Sequence, residues 1–229
     1  MKLERFEMAG LKCAALAPEA EGDYPLVVML HGFGDEGESY LDIGTFINRD
    51  KYRYVFPTAP MPVPGAGFGW FPLDATNFRD FAKRAAKGRV QFNNLLNGLL
   101  ERYNISAKRM VVGGFSQGGM LTLDGGLRYR DKDGNHLAGL IALSTLLPAD
   151  DPATETELEE TLKAAAANKQ PIFIAHGTND PVIPFQAGET SRDMLEKVGA
   201  NLEFYEFSGS HEITLDELER IRTFLLRVL

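Results

Sequence analysis

Residues 110–119 read MVVGGFSQGG, an apolar run followed by a glycine-rich turn around Ser116. The pattern G-x-S-x-G between a buried strand and a helix is typical of a sharp turn that presents a nucleophilic serine. Such a turn strains the backbone and brings strand and helix close together, which explains glycine at 114 and 118. The alternative is a glycine-rich turn with an incidental serine. The interpretation therefore depends on finding partners for Ser116 elsewhere in the sequence.

Length and composition favour one soluble domain spanning residues 1–229, because 229 residues with 44% hydrophobic content can build one large core. The formal charge of −8 argues against nucleic acid or an anionic membrane surface as a partner. Cys13 is the single cysteine and the N-terminus lacks the apolar core of a signal peptide. We expect a cytoplasmic monomer or homodimer that acts on a small molecule and has no stable membrane anchor.

Hydrophobic patterning predicts an α/β sandwich with a mainly parallel central sheet and helices on both faces. Strands buried on both faces are predicted at Leu26–Leu30, Tyr52–Phe56, Met110–Val112, Leu137–Leu143 and Ile172–Ala175. A less buried strand is predicted at Leu202–Phe207, and an antiparallel start at Arg5–Leu16.

Helical patterns separate these strands. A long helix is predicted around Phe78–Tyr103, and a final helix has an apolar face that includes Leu218 and Ile221. The sequences TETE from Thr154 and TLDE from Thr214 both have the T-x-x-E form of a capping box. We therefore expect helices to begin at both places.

A serine nucleophile needs a base, and the base needs an acid that orients it. In folds with this serine turn, the three residues follow one another along the chain in the order serine, acid, histidine. The best candidate for the base is then His211, which follows the strand Leu202–Phe207 and precedes the last helix. Asp180 is the predicted acid, because it lies in a short proline-containing loop after the preceding strand. Asp150 and Asp151 are the alternatives, since they follow the strand before that.

The remaining histidines fit the role of base less well. His136 precedes its strand and so lies at the wrong end, whereas His31 and His176 each stand before a glycine directly after a buried strand. We expect His31 to be structural.

An oxyanion hole needs two N–H donors. The backbone N–H of Gln117, directly after the serine, is one candidate. The loop after the early strand reads HGFGD over residues 31–35, and the N–H of Phe33, between two glycines, is the other.

The segment from Pro57 to Phe71 is rich in proline and glycine and contains Phe68, Trp70 and Phe71. A long irregular loop after a central strand of a parallel sheet often borders the ligand site. We interpret these three aromatic residues as the wall of a substrate pocket. The alternative is an ordered surface loop whose aromatic side chains belong to the core.

Six motifs together resemble the carboxylesterase/phospholipase family of α/β-hydrolases, which includes the acyl-protein thioesterases. They are HGFGD at 31–35, PTAP at 57–60, WF at 70–71, GFSQGG at 114–119, HGTNDPVIP at 176–184 and HE at 211–212. The resemblance spans nearly the whole chain. It implies an α/β-hydrolase with Ser116, Asp180 and His211 as the triad, and with Phe33 and Gln117 as oxyanion donors.

The resemblance also implies hydrolysis of carboxylic esters, with no metal or organic cofactor. Residues 148–170 leave room for little more than one short helix, so no large lid domain is expected. An open site favours short-to-medium acyl esters. The alternatives are an acyl-protein thioesterase or lysophospholipase and, from another class, a non-catalytic α/β-hydrolase that serves as a binding module.

Overall fold

The computed structural model describes residues 1–47, 50–73 and 80–229. Strands in this part of the chain are β1 (Lys2–Met8), β2 (Leu11–Ala17), β3 (Leu26–Leu30), β4 (Arg53–Pro57), β5 (Met61–Pro62), β6 (Phe68–Gly69), β7 (Met110–Phe115), β8 (Gly139–Leu143), β9 (Ile172–Gly177) and β10 (Leu202–Phe207). The α-helices there are α1 (Leu41–Ile47), α2 (Phe81–Tyr103), α3 (Gln117–Arg128), α4 (Glu155–Ala167), α5 (Phe185–Lys197) and α6 (Leu215–Val228).

Eight of these strands form one sheet in the order β1-β2-β4-β3-β7-β8-β9-β10. The strands from β4 to β10 in this order pair in parallel, whereas β1 with β2 and β2 with β4 pair antiparallel. The predicted antiparallel start and mainly parallel sheet are therefore confirmed. Because β3, β7, β8, β9 and β10 are parallel, their carboxyl ends meet at one edge, where the candidate site lies.

Two cores cover the two faces of the sheet. In β3, Leu26, Val28 and Leu30 pack into the core that holds α2 to α5, and Val27 and Met29 pack into the core beneath α1 and α6. Side chains of a strand alternate between faces, so a strand covered on both sides must be apolar throughout. This explains the uninterrupted apolar runs of the central strands.

The helix ends agree only partly with the sequence predictions. At α6, Thr214 Oγ1 accepts from the Glu217 N–H at 3.2 Å, and Glu217 Oε2 accepts from the Thr214 N–H at 2.7 Å, so this capping box is confirmed. The one predicted at Thr154 is wrong, because the Thr154 hydroxyl donates to the carbonyl of Asp151 instead. The predicted start of the long helix at Phe78 lies outside the described residues.

The segment between β8 and β9 contains a short 3-10 turn at Pro152–Thr154 and helix α4, with no lid domain in this described stretch. Nowhere in residues 1–47, 50–73 and 80–229 is a helix both long and apolar enough to cross a membrane. The predicted irregular loop 57–71 contains the small antiparallel hairpin of β5 and β6, which the sequence analysis did not anticipate.

Candidate active site

The backbone at Ser116 is strained. Ser116 has φ 53° and ψ −117°, a conformation that residues other than glycine rarely adopt, between the end of β7 and the start of α3. Neighbouring groups hold it there: the Ser116 N–H donates to the carbonyl of Leu143 at 2.9 Å, and the Ser116 carbonyl accepts from Thr145 Oγ1 at 2.7 Å. The strain predicted for the turn is thus present.

The two flanking glycines are required by close approach of the backbone. A Cβ atom at Gly114 would lie 2.3 Å from the backbone of Gly118, and one at Gly118 would lie 2.4 Å from the carbonyl oxygen of Leu30. Both clashes involve backbone atoms that cannot rotate away. Glycine at these two positions therefore lets α3 start directly over the ends of β3 and β7.

His211 is hydrogen-bonded to a carboxylate. His211 Nδ1 lies 2.7 Å from Asp180 Oδ2, and the side chain of Asp180 is buried completely. The other carboxylate oxygen, Oδ1, accepts from the N–H groups of Val182 at 2.8 Å and Ile183 at 2.9 Å. Because a carboxylate accepts here, Nδ1 of His211 carries the proton and Nε2 is left to accept one. This is the arrangement that a histidine base needs.

The sheet brings the three predicted triad residues to one edge. Ser116 follows β7, Asp180 follows β9 and His211 follows β10. The ring of Phe115, next to the serine, packs against the His211 ring with 4.7 Å between centroids. Among the described residues the Ser116 hydroxyl makes no hydrogen bond. Such bonds commonly tighten only when substrate is bound.

The alternative acids are engaged elsewhere. The carboxylate of Asp150 accepts from the N–H groups of Phe81 and Ala82, at 2.9 and 2.8 Å, at the start of α2. Asp151 Oδ1 accepts from the Ala153 N–H at 3.1 Å. Both aspartates therefore cap helical turns, whereas Asp180 contacts the histidine.

The two proposed oxyanion donors are unoccupied N–H groups. Within the described part of the chain, neither the Phe33 N–H nor the Gln117 N–H donates to a protein acceptor. The Gln117 N–H opens helix α3, whose N-terminus carries partial positive charge. Register pairs Leu30 with Gly114, so the loop that contains Phe33 leaves the sheet beside the serine turn. An oxygen bound between these loops would be stabilised if it became negative.

Trp70 is held beneath the oxyanion loop. Its N–H donates to Gln117 Oε1 and its Nε1–H donates to the carbonyl of His31, both at 2.8 Å. His31 Nδ1 in turn donates to the carbonyl of Gly32 at 2.7 Å, and Nε2 accepts from the Ala59 N–H at 2.9 Å. Burial lowers the pKa of His31, consistent with a neutral ring. The bonding of His31 is structural, as expected.

A cavity of about 740 Å³ opens beside the serine. Besides Ser116 and Gln117, its lining is mainly apolar and comes largely from helix α3, the segment after β8, the loop after Asp180 and helix α5. It includes Met120, Leu146, Leu147, Val182, Ala187 and Met194. Volumes of about 300–1,000 Å³ are usual for small-molecule sites. The cavity therefore offers room for an apolar group attached to a carbonyl at Ser116.

The predicted aromatic wall is located elsewhere. Trp70 and Phe71 are buried in the core, at 4% and 1% exposure, and Phe68 packs against that core. None of the three lines the described cavity. The physical reason is hydrogen bonding: Gln117 fixes the backbone of both Trp70 and Phe71, and the Trp70 indole N–H points toward His31. The alternative given above for these side chains is the one observed.

Sequence reasoning missed the residues that do line the cavity. Ala187 and Met194 are seven positions apart on α5, a spacing that also fits an ordinary core-facing stripe. Leu146 and Leu147 follow β8 at the carboxyl edge of the sheet. Their position after a predicted central strand was the available signal.

Comparisons with known proteins identify the family to which the chain is similar. A family model described as phospholipase/carboxylesterase matches residues 11–229. The chain is 31% identical over 228 residues to acyl-protein thioesterase 1 of Neurospora crassa, which covers 92% of this chain and 89% of that protein. It is 28% identical over 229 residues to a probable carboxylesterase of Oryza sativa subsp. japonica, covering 95% and 82% respectively.

Solved structures extend the likeness to the fold. The crystal structure of esterase PE8 matches with a TM-score of 0.81 at 28% identity, covering 100% of both chains. Acyl-protein thioesterase 2 of Zea mays matches with a TM-score of 0.73 at 25% identity, covering 94% of this chain and 97% of that one. The predicted α/β-hydrolase fold is confirmed.

Proposed function

We propose that this chain, which belongs to the phospholipase/carboxylesterase family and is a serine ester hydrolase, acts on carboxylic esters of short-to-medium acyl chains. The proposed catalytic triad consists of Ser116, His211 and Asp180. The observation that carries the proposal is the 2.7 Å contact between His211 Nδ1 and Asp180 Oδ2 at the sheet edge that holds the strained serine. That contact fixes the tautomer that a general base requires.

In the proposed reaction, His211 Nε2 takes the proton of Ser116 as Oγ attacks the ester carbonyl. The N–H groups of Phe33 and Gln117 stabilise the oxyanion, and His211 then protonates the departing alcohol. Water, activated by the same histidine, releases the acyl group from the serine. Asp180 accepts the hydrogen bond from His211 Nδ1–H throughout and stabilises the imidazolium that forms twice in the cycle.

The acyl group is assigned to the cavity beside Ser116. Its apolar lining suits a hydrocarbon chain, because burial of each methylene contributes about 0.8 kcal/mol. Without a lid domain in the described residues, the site stays open to water, which favours soluble esters over emulsified triglycerides.

The test is hydrolysis of p-nitrophenyl esters from acetate to palmitate by the wild type and by Ser116→Ala. We expect activity that peaks at short or medium chains and falls by about three or more orders of magnitude in the variant. Ser144→Ala is a matched control, since Ser144, like Ser116, has positive φ directly after a strand, and its side chain is buried. Esterase activity retained by Ser116→Ala would refute the triad.

A second candidate function is hydrolysis of acyl thioesters or lysophospholipids. The cavity volume of about 740 Å³ favours it, because this space exceeds what a short acyl group fills. The likeness to proteins named acyl-protein thioesterase supports it as well. A peak at long chains, with faster cleavage of acyl thioesters than of matched oxygen esters, would select this candidate. No turnover of any ester would point to a binding module instead.

A further inference from the structure

A second histidine lies behind the proposed catalytic aspartate. His176 is the penultimate residue of strand β9 and is buried completely. Its Nε2 lies 2.9 Å from the carbonyl oxygen of Ile183 and 3.5 Å from Asp180 Oδ2. Because both oxygens only accept, Nε2 carries the proton, and its N–H points between them.

The opposite side of the ring is packed tightly. In the described part of the chain His176 Nδ1 has no hydrogen-bond partner. A Cβ atom at Gly188 would lie 2.5 Å from this nitrogen, so helix α5 crosses directly over it. The Phe185 ring meets the imidazole edge-on at 5.9 Å between centroids. The ring is therefore confined to one orientation.

Asp180 belongs to a turn, residues 180–183, that hydrogen bonds hold both from within and from His176. On the inner side, Asp180 Oδ1 accepts from the N–H groups of Val182 and Ile183. On the outer side, the carbonyl of Ile183 accepts from His176. Oδ2 then faces two imidazole N–H groups, that of His211 at 2.7 Å and that of His176 at 3.5 Å.

We propose that His176 is a positioning residue. Through its Nε2–H it holds the 180–183 turn, and with it the Asp180 carboxylate, at hydrogen-bonding distance from His211. The inference rests on the proposed function, since it assigns His176 a role in the same triad. His176 does not touch the reacting atoms. It acts through Asp180 and the turn that carries it.

Removing the Nε2–H leaves the buried carbonyl of Ile183 without its partner, so the turn shifts to recover a hydrogen bond. Displacing a catalytic group by about 1 Å can lower a rate by about 100-fold. For His176→Phe we expect kcat to fall about 10- to 100-fold. KM should change less than kcat, because His176 itself does not line the cavity, although the turn that it holds contributes Val182 to the lining.

The test compares four variants, each assayed on the p-nitrophenyl ester that the wild type hydrolyses best. Active sites are counted by titration with a fluorophosphonate, so that kcat refers to folded enzyme. His176→Gln keeps an N–H near the Nε2 position and should recover most of kcat. Gly188→Ala pushes on Nδ1 and should lower kcat more than it changes KM, which provides a second variant if His176→Phe does not fold. Phe185→Leu loosens the packing of the ring without removing any hydrogen bond, and should lower the melting temperature but not kcat.

The inference is overturned if His176→Phe and Gly188→Ala keep wild-type kcat per titrated site, or if Phe185→Leu lowers kcat as much as they do. Failure to recover kcat in His176→Gln also counts against it. An inactive wild type would instead refute the proposed function, so the two failures are distinguishable.

Discussion

Gln117 Oε1 accepts a hydrogen bond from the backbone N–H of Trp70 at 2.8 Å, so the residue that follows Ser116 also fixes the segment beneath the 31–35 loop. Gln117 is buried completely, and its Nε2 donates to the carbonyl of Phe71 at 2.7 Å. One side chain therefore pairs two buried backbone groups that have no neighbouring strand to pair with.

Replacing Gln117 by Leu should destabilise the protein by about 2–4 kcal/mol, because each buried polar group left unpaired costs about 1–3 kcal/mol. The backbone N–H proposed for the oxyanion hole is retained in this variant. Urea unfolding measures the loss, with the exposed residue Gln186, changed to Leu, as the control. If Gln117→Leu and Gln186→Leu were equally stable, the two hydrogen bonds of the Gln117 side chain would not contribute to stability.

Thr145 offers a way to test the strained serine turn. Its Oγ1 donates to the Ser116 carbonyl at 2.7 Å, and its Cγ2 packs at the position of Gly119. Thr145→Val keeps the methyl group and loses the hydrogen bond, which should cost about 1 kcal/mol and lower kcat. Thr145→Ser keeps the bond and loses the methyl group, so it should retain kcat. The reverse ranking in ester hydrolysis would show that packing, not the bond, is what matters.

Glu217 should make stability depend on pH. Burial raises its pKa to about 7, whereas an unfolded chain has a glutamate pKa of about 4.3. Between these values the folded protein binds more protons than the unfolded chain, so the free energy of unfolding falls as pH rises, by up to about 3 kcal/mol. The capping box tolerates glutamine at this position. Glu217→Gln should therefore raise the melting temperature at pH 8 and change it little at pH 4.5. If the melting temperature of Glu217→Gln depended on pH as that of the wild type does, the buried Glu217 carboxylate would not be the source of the pH dependence.

Narrowing the cavity should shorten the preferred acyl chain. Ala187 lines the cavity from α5, whereas the neighbouring Gln186 is exposed and does not line it. Ala187→Phe should lower kcat/KM for decanoate at least about 10-fold relative to acetate, because the added ring occupies space for several methylenes. Gln186→Phe is the matched control and should leave the chain-length profile unchanged. Equal losses for both esters in Ala187→Phe would place the acyl group elsewhere.

Sequence patterns predict the structure correctly where a short stretch of residues determines it, as in a buried strand or a tight turn. The apolar run at Leu26–Leu30 is a strand with the predicted bounds, since burial on both faces leaves little choice of residue. The less buried strand at Leu202–Phe207 also has the predicted bounds. The glycines around Ser116 likewise specify a backbone that other residues do not allow.

Prediction fails where the orientation of a side chain depends on partners that are far away in the sequence. The sequence shows Trp70 in a proline- and glycine-rich loop, but its inward orientation depends on Gln117 and His31, which are 47 and 39 positions away. The false capping box at Thr154 has a local cause instead, because Asp151, three positions earlier, already forms the hydrogen bonds of that turn. Two capping residues compete there within one window, and the T-x-x-E pattern alone does not rank them.

Ser116 and Gln117 are consecutive residues at the start of one helix, so the proposed nucleophile and one proposed oxyanion donor are neighbours in the chain. Sliding of α3 along β7 moves both together and leaves their separation unchanged. The second donor, on Phe33, belongs to a different segment. Any change in the distance between the two proposed donors therefore requires the 31–35 loop to move relative to helix α3.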